Sequence, residues 1–74
     1  MGEKIRQFTA RELERLLTRF GFILVSQQGS HKKWRNLATG GQVIVPWHSG
    51  RNIPLGTLRN ILTNSQIPEE EWKS

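Results

Sequence analysis

The chain has 74 residues, with 11 Lys and Arg against six Asp and Glu, and a formal net charge of +5 at pH 7. This length predicts one small domain spanning residues 1–74, and the absence of cysteine excludes disulfides and fits a reducing compartment. No apolar run is long enough for a signal peptide or a membrane span, so we expect a cytoplasmic protein without a membrane partner.

The first predicted element is a helix from about Ala10 to Phe20. Thr9 and Glu12 have the spacing of a capping box, in which each side chain bonds the backbone N–H of the other residue. Gly21 stands where a left-handed residue commonly ends a helix. The apolar residues at i, i+3, i+4 and i+7 give the helix one apolar face: Leu13, Leu16, Leu17 and Phe20.

Three strands joined by short turns are predicted next. They run over Phe22–Gln28, from His31 to about Leu37, and over Gln42–Pro46. The turns between them carry Gly29-Ser30 and Gly40-Gly41. Because both connections are short, the strands are expected to form an antiparallel meander.

The last third of the chain predicts a loop, a second helix and a final turn. Residues 47–53 form the loop, Pro54 suits the first turn of a helix, and Asn64 is a plausible stop. Pro68 could begin one more turn. The resulting α-β-β-β-α order predicts an α+β fold with a three-stranded antiparallel sheet, two helices on one face and the other face free.

The charges are separated along this predicted fold. All acidic residues lie near the two ends, and the segment between Glu14 and Glu69 contains no acid. A continuous block of one sign is typical of a surface that binds a polyanion, so a nucleic acid is favoured over an ordinary solvated surface. The basic residues of this segment are Arg15, Arg19, Lys32, Lys33, Arg35, Arg51 and Arg59.

The second strand combines a histidine with cations. Side chains alternate along a strand, so His31, Lys33 and Arg35 share one face. Trp34 is the large apolar anchor, and its side, which Lys32 shares, should face the helices. The open face would then carry a proton-transfer group and two cations, which is a workable phosphate site. A bulge near the preceding turn would invalidate this alternation.

Simpler roles for these residues remain open. A surface histidine such as His31 is usually only a polar residue, and a structural loop role is the more common one for His48. If both histidines reached one phosphate, they could divide the base and acid roles. Trp47 and Trp72 could stack on bases, although packing is more common for tryptophan.

Metal chemistry is not expected from this sequence. The central segment lacks the clustered carboxylates that hard cations need. Two histidines without cysteine or a nearby acid make a poor zinc site. We therefore expect no metal and no cofactor.

Five segments in order carry a family pattern: Thr9–Leu17, Phe20-Gly21-Phe22, Gly29-Ser30-His31, Val43–His48 and Ile53–Leu62. Together they resemble the HicA toxins, also called YcfA-like mRNA interferases. The resemblance implies a double-stranded-RNA-binding-domain-like fold and an endoribonuclease toxin of a type II toxin–antitoxin system, acting independently of the ribosome. It also implies that His31 is catalytic, and that a HicB-type antitoxin encoded nearby covers the active site.

The main functional hypothesis is therefore a metal-independent endoribonuclease that cleaves mRNA. His31 would take the proton from a 2′-hydroxyl, and the acid could be His31 of a second molecule, His48 or water. The predicted RNA-binding residues are Ser30, Lys32, Lys33 and Arg35, with His48 and Arg51 as secondary candidates. The alternatives are a non-catalytic RNA-binding module, or a protein-interaction domain whose basic face meets an acidic partner.

Only Arg51 precedes the second helix, where RNA-binding domains of this fold carry a lysine cluster. Binding to long duplex RNA is therefore not expected.

Overall fold

The secondary structure follows the predicted order. The computed structural model describes residues 4–48 and 50–73. Two residues used in the sequence analysis, Glu3 among the terminal acids and Ser49 in the loop, lie outside this range. The elements are α1 Ala10–Arg19, β1 Phe22–Gln28, β2 His31–Asn36, β3 Gln42–Pro46, α2 Leu55–Ser65 and a 3₁₀ turn Glu69–Glu71.

The sheet is antiparallel with the order β1-β2-β3. Both helices contact the same side of it, α1 against β1 and β3 and α2 against β3. The predicted α-β-β-β-α fold, with two helices on one face and the other face free, is confirmed. No described helix is long and apolar enough to cross a lipid bilayer.

Helix α1 begins at the predicted capping box. The Glu12 backbone N–H donates to the Thr9 hydroxyl at 3.2 Å, and the Thr9 N–H donates to the Glu12 carboxylate at 2.8 Å. The helix ends at Arg19, one residue before the prediction, because Phe20 has a non-helical φ of −102°. Gly21 follows with a φ of +93°, a left-handed conformation that glycine adopts at little cost.

A β-bulge interrupts the register between β1 and β2. Leu24 is paired with Trp34 and Ser26 with Lys33, which leaves Val25 without a partner in the ladder. The bulge lies in β1, whereas the pairing of β2 with β3 is continuous. The alternation predicted for β2 is therefore confirmed, with Trp34 buried and its neighbour Arg35 exposed.

The apolar core lies between the sheet and the helices. Trp34 contributes the largest strand side chain, and Trp72 from the C-terminal segment is also buried. The indole N–H of Trp72 donates to the Ile67 carbonyl at 3.0 Å, so this tryptophan packs as the sequence suggested. The fully buried side chains of the core are Phe8, Leu13, Leu17, Phe22, Val45, Leu58 and Leu62.

A buried asparagine joins two corners of the fold. The Asn36 amide donates to the Phe20 carbonyl at 2.8 Å, and its oxygen accepts from the Ala38 N–H at 2.8 Å. The first bond holds the end of α1 and the second holds the turn after β2. Burial of this polar group is tolerated because its hydrogen bonds are satisfied.

The outer edge of β1 carries exposed apolar side chains. Ile23, Leu24 and Val25 are each about 43–44% exposed, and β1 pairs only with β2 within the described residues. The strand therefore presents both free backbone groups and apolar side chains to solvent.

Removing the N-cap should destabilise the fold. We expect Thr9→Ala to lower the free energy of unfolding by about 1 kcal/mol, because one helix N–H loses its acceptor. Urea denaturation measures this value. Thr63→Ala, at an exposed position of α2, is the matched control and should cause no loss; equal losses in both variants would contradict the capping role.

The capping box should also make stability depend on pH. The hydrogen bond from the Thr9 backbone N–H lowers the pKa of Glu12 below its ordinary value of 4.5. The stabilisation from the ionised carboxylate is thus fully present above the unfolded pKa and is lost as pH falls through the lower folded pKa. Between pH 6 and 3, the urea midpoint of the wild type should fall more steeply than that of Glu12→Gln. Parallel curves would show that Glu12 contributes no such linkage.

Candidate active site

Three rows of cross-strand neighbours form the surface that the helices leave uncovered. We call this surface the open face. Its side chains are mainly polar, basic or aliphatic, and none is acidic among the described residues. Each row has one residue from β1, one from β2 and one from β3, in that order: Gln28, His31 and Pro46; Ser26, Lys33 and Ile44; and Ile23, Arg35 and Gln42.

His31 is held at one end of the open face by a tight turn. Gly29 has a φ of +58°, in the left-handed region, and its carbonyl accepts a hydrogen bond from the Gln27 side chain at 3.1 Å. The Trp47 backbone N–H donates to the Ser30 carbonyl at 2.6 Å. The backbone immediately before His31 is therefore fixed to the end of β3, while Ser30 and His31 stay exposed.

His31 and Lys33 line the same shallow concavity of about 400 Å³. Ser26, Gln28 and Ile44 complete its wall. The concavity thus combines an imidazole, an ammonium group, a hydroxyl and a carboxamide. Such a set can exchange a proton beside an anion that the cation and the neutral donors hold.

The sequence reasoning missed Ser26 and Gln28. Simple alternation from the buried Phe22 would place both of them on the helix side of β1. The unpaired Val25 reverses the parity of the following residues, so Ser26 faces outward beside Lys33 and Gln28 beside His31. A bulge of this kind leaves no clear signal in the local sequence.

Arg35 lies on the open face but one row beyond the concavity. It is exposed and pairs with Ile23 on one side and Gln42 on the other. Two residues along a strand separate it from Lys33, a distance of about 7 Å. The three side chains therefore form a line along β2, in which His31 is followed first by Lys33 and then by Arg35.

Lys32 lies on the opposite face of β2. Its ammonium nitrogen is 3.6 Å from the Glu14 carboxylate and 4.6 Å from the centre of a Trp47 ring. The Lys32 side chain is only 20% exposed. The structure thus separates Lys32 from His31 and gives it contacts that join α1 to the segment after β3.

The secondary candidates also lie apart from His31. His48 is exposed and lines a different concavity, with Thr9, Arg11 and Trp47. The Arg51 backbone N–H donates to the His48 carbonyl at 3.3 Å, and the Arg51 side chain is exposed. Within residues 4–48 and 50–73, no three His or acidic side chains are grouped as metal ligands.

Comparison with known protein families identifies this arrangement. The family model described as "HicA toxin of bacterial toxin-antitoxin" matches residues 10–67, which include both helices and the whole sheet. The chain belongs to the HicA toxin family. As a HicA toxin it is one component of a toxin–antitoxin system, and the family implies an antitoxin partner. No curated protein matches the chain.

The two neighbouring lysines of this HicA toxin should differ in their effect on stability. Lys32→Ala should lower the free energy of unfolding by about 1–2 kcal/mol, because it leaves the mostly buried Glu14 carboxylate without its cation. Lys33→Ala should change it by less than about 0.5 kcal/mol, since the Lys33 side chain lies on the open face. Urea denaturation of both variants tests this difference, and equal values would contradict the assignment of the two lysines to opposite faces.

Proposed function

We propose that this HicA toxin is a metal-independent endoribonuclease that cleaves mRNA in the cytoplasm, with His31 as the catalytic residue and residues 1–74 acting as one unit. One observation carries the proposal most directly: His31 and Lys33 share an exposed concavity on a face where the described residues include no acid. Backbone cleavage of RNA requires proton transfer beside a phosphate, and this concavity offers both a titratable imidazole and a cation.

The proposed reaction begins with the neutral imidazole of His31. It takes the proton from a ribose 2′-hydroxyl, and the 2′-oxygen forms a bond to the adjacent phosphorus. The bond from phosphorus to the 5′-oxygen breaks, and that oxygen gains a proton as it leaves. The products are a 2′,3′-cyclic phosphate, which can open to a 3′-phosphate, and a free 5′-hydroxyl.

The cations of β2 support the charge that develops on the phosphate. Lys33 lies in the same concavity as His31, so its ammonium can stabilise the anionic oxygens in the transition state. Arg35 is better placed to bind a flanking phosphate, because it lies one row farther along the face. We assign Ser30, at the turn beside His31, to substrate binding, and give Lys32 at most an indirect part.

The acid that protonates the leaving oxygen is not assigned to a second histidine of the same chain. His48 lines a separate concavity beside α1, so the two histidines do not line the same pocket. A water molecule, or His31 of a second molecule, is the simpler donor. We assign His48 and Arg51 to contacts with the RNA backbone away from the scissile bond.

The antitoxin of the pair is proposed to be a HicB-type protein that covers the open face. That face is basic, and RNA would bind to it through the same cations. An acidic antitoxin surface would therefore exclude the substrate by occupying the same site.

Replacing the proposed catalytic residue should abolish most of the cleavage. We expect His31→Ala to lower the rate of RNA cleavage by about 10²–10⁴-fold, because the general base is removed. The assay uses purified protein, single-stranded RNA and EDTA, with analysis of the product ends. Wild-type cleavage that persists in EDTA and leaves 2′,3′-cyclic or 3′-phosphate ends would support the mechanism.

His48→Ala is the matched control, since it removes the other histidine of the chain. It should retain cleavage within about tenfold of the wild type if its contact is limited to one flanking phosphate. Equal activity of His31→Ala and wild type would reject His31 as the catalytic residue. Retained RNA binding without cleavage by any variant would favour the non-catalytic binding module.

A further inference from the structure

A second, larger concavity lies beside the one that contains His31. It has a volume of about 530 Å³ and is located between α2 and the free edge of β3. Four uncharged polar side chains border it: Gln42, Thr57, Asn60 and Asn64. None of the chemistry proposed above uses these residues.

The polar wall results from the helical period of α2. Thr57, Asn60 and Asn64 are spaced at i, i+3 and i+7, so they lie on one face of the helix. All three are exposed, whereas Leu58 and Leu62 turn into the core. The amide-rich face of α2 therefore borders the concavity along much of the helix, and Gln42 lies opposite it on β3.

The chemistry of this wall suits a nucleobase. A carboxamide offers donors and an acceptor, so Asn and Gln can match the polar edge of a base. Ile44, which is 52% exposed, adds apolar surface on which a planar ring can lie, and the buried side chains of Val43 and Ile61 also line the pocket. Sequence-specific proteins recognise unpaired RNA bases by stacking and by hydrogen bonds to the base edges, and the amides of this pocket can supply the edge hydrogen bonds.

The two concavities share a wall. Lys33 and Ile44 line both the pocket of His31 and the pocket beside α2. An RNA strand with its reactive phosphate at His31 would therefore need to extend only across Ile44 to place a neighbouring base against α2. Lys33, at the boundary, can hold the reactive phosphate while the neighbouring base reaches α2.

We propose that the pocket between β3 and α2 binds one unpaired base of the RNA and sets the sequence preference of cleavage. The inference rests on the proposed ribonuclease function, which it extends from reaction to specificity. A protein segment adding to the free edge of β3 is the competing occupant. The shared wall with His31 and the amide-rich lining favour RNA, because strand addition depends mainly on backbone hydrogen bonds and needs no amide row.

The main test compares cleavage patterns. Wild type, Asn60→Ala and Asn64→Ala act on a pool of single-stranded RNAs with randomised sequence, and cleavage sites are read by sequencing the products. Loss of a hydrogen bond to a base edge should lower kcat/KM at preferred sites by about tenfold while rates at poor sites stay unchanged. Thr63→Ala, on an exposed face of α2 away from the pocket lining, should keep the wild-type pattern. Circular dichroism confirms that each variant is folded.

A binding assay separates failure of this inference from failure of the proposed nuclease. Fluorescence anisotropy measures the affinity of His31→Ala protein, with and without Asn60→Ala, for oligo(A), oligo(C), oligo(G) and oligo(U). A preference among these that Asn60→Ala removes supports the pocket even if the wild type proves unable to cleave RNA. Cleavage with an unchanged site preference in both asparagine variants overturns the inference and leaves the nuclease intact. The inference is also overturned if the asparagine variants lower the affinity for the antitoxin but leave RNA binding and cleavage unchanged.

Discussion

Burial of Trp34 is the constraint on which the arrangement of the sheet depends. Its indole fills the space between β2 and the helices, so β2 cannot turn its other face inward without exposing this side chain. Because the strand alternates, His31, Lys33 and Arg35 must then face solvent. A residue with no chemical role thus determines where the proposed chemistry takes place. The continuous pairing of β2 with β3 keeps that orientation over the whole strand.

The bulge at Val25 adds the second half of the proposed site. It lets β1 bury Phe22 near its start and still present Ser26 beside Lys33 and Gln28 beside His31. A regular strand would satisfy the core with the same residues but would turn these two polar groups towards the helices. The insertion of one residue therefore allows β1 to serve the core and the open face in succession.

Local rules of the sequence account for most of the fold. The capping box at Thr9, the left-handed glycines and the periodicities gave the order and nearly all the boundaries, because each depends on neighbours in sequence. Strand alternation placed His31, Lys33 and Arg35 correctly on the open face and Lys32 on the opposite face. The prediction that Lys32 also binds the RNA phosphate did not take this orientation into account. Its contacts with Glu14 and Trp47 come from distant segments, as does the pairing that creates the bulge. Neither could be predicted from the sequence of β2, and the pocket beside α2 also depends on how helix and sheet pack.

The exposed apolar edge of β1 has a consequence for how the protein behaves in concentrated solution. Free backbone groups and the side chains of Ile23 and Leu24 offer a template on which another molecule can add a strand, which is the first step of aggregation. The bulge limits the length of regular edge, and the net charge of +5 makes molecules repel one another. Salt screens that repulsion but leaves the apolar edge unchanged. The chain should therefore become less soluble as ionic strength rises, and it would be handled best in dilute buffer or together with a protein that covers this strand.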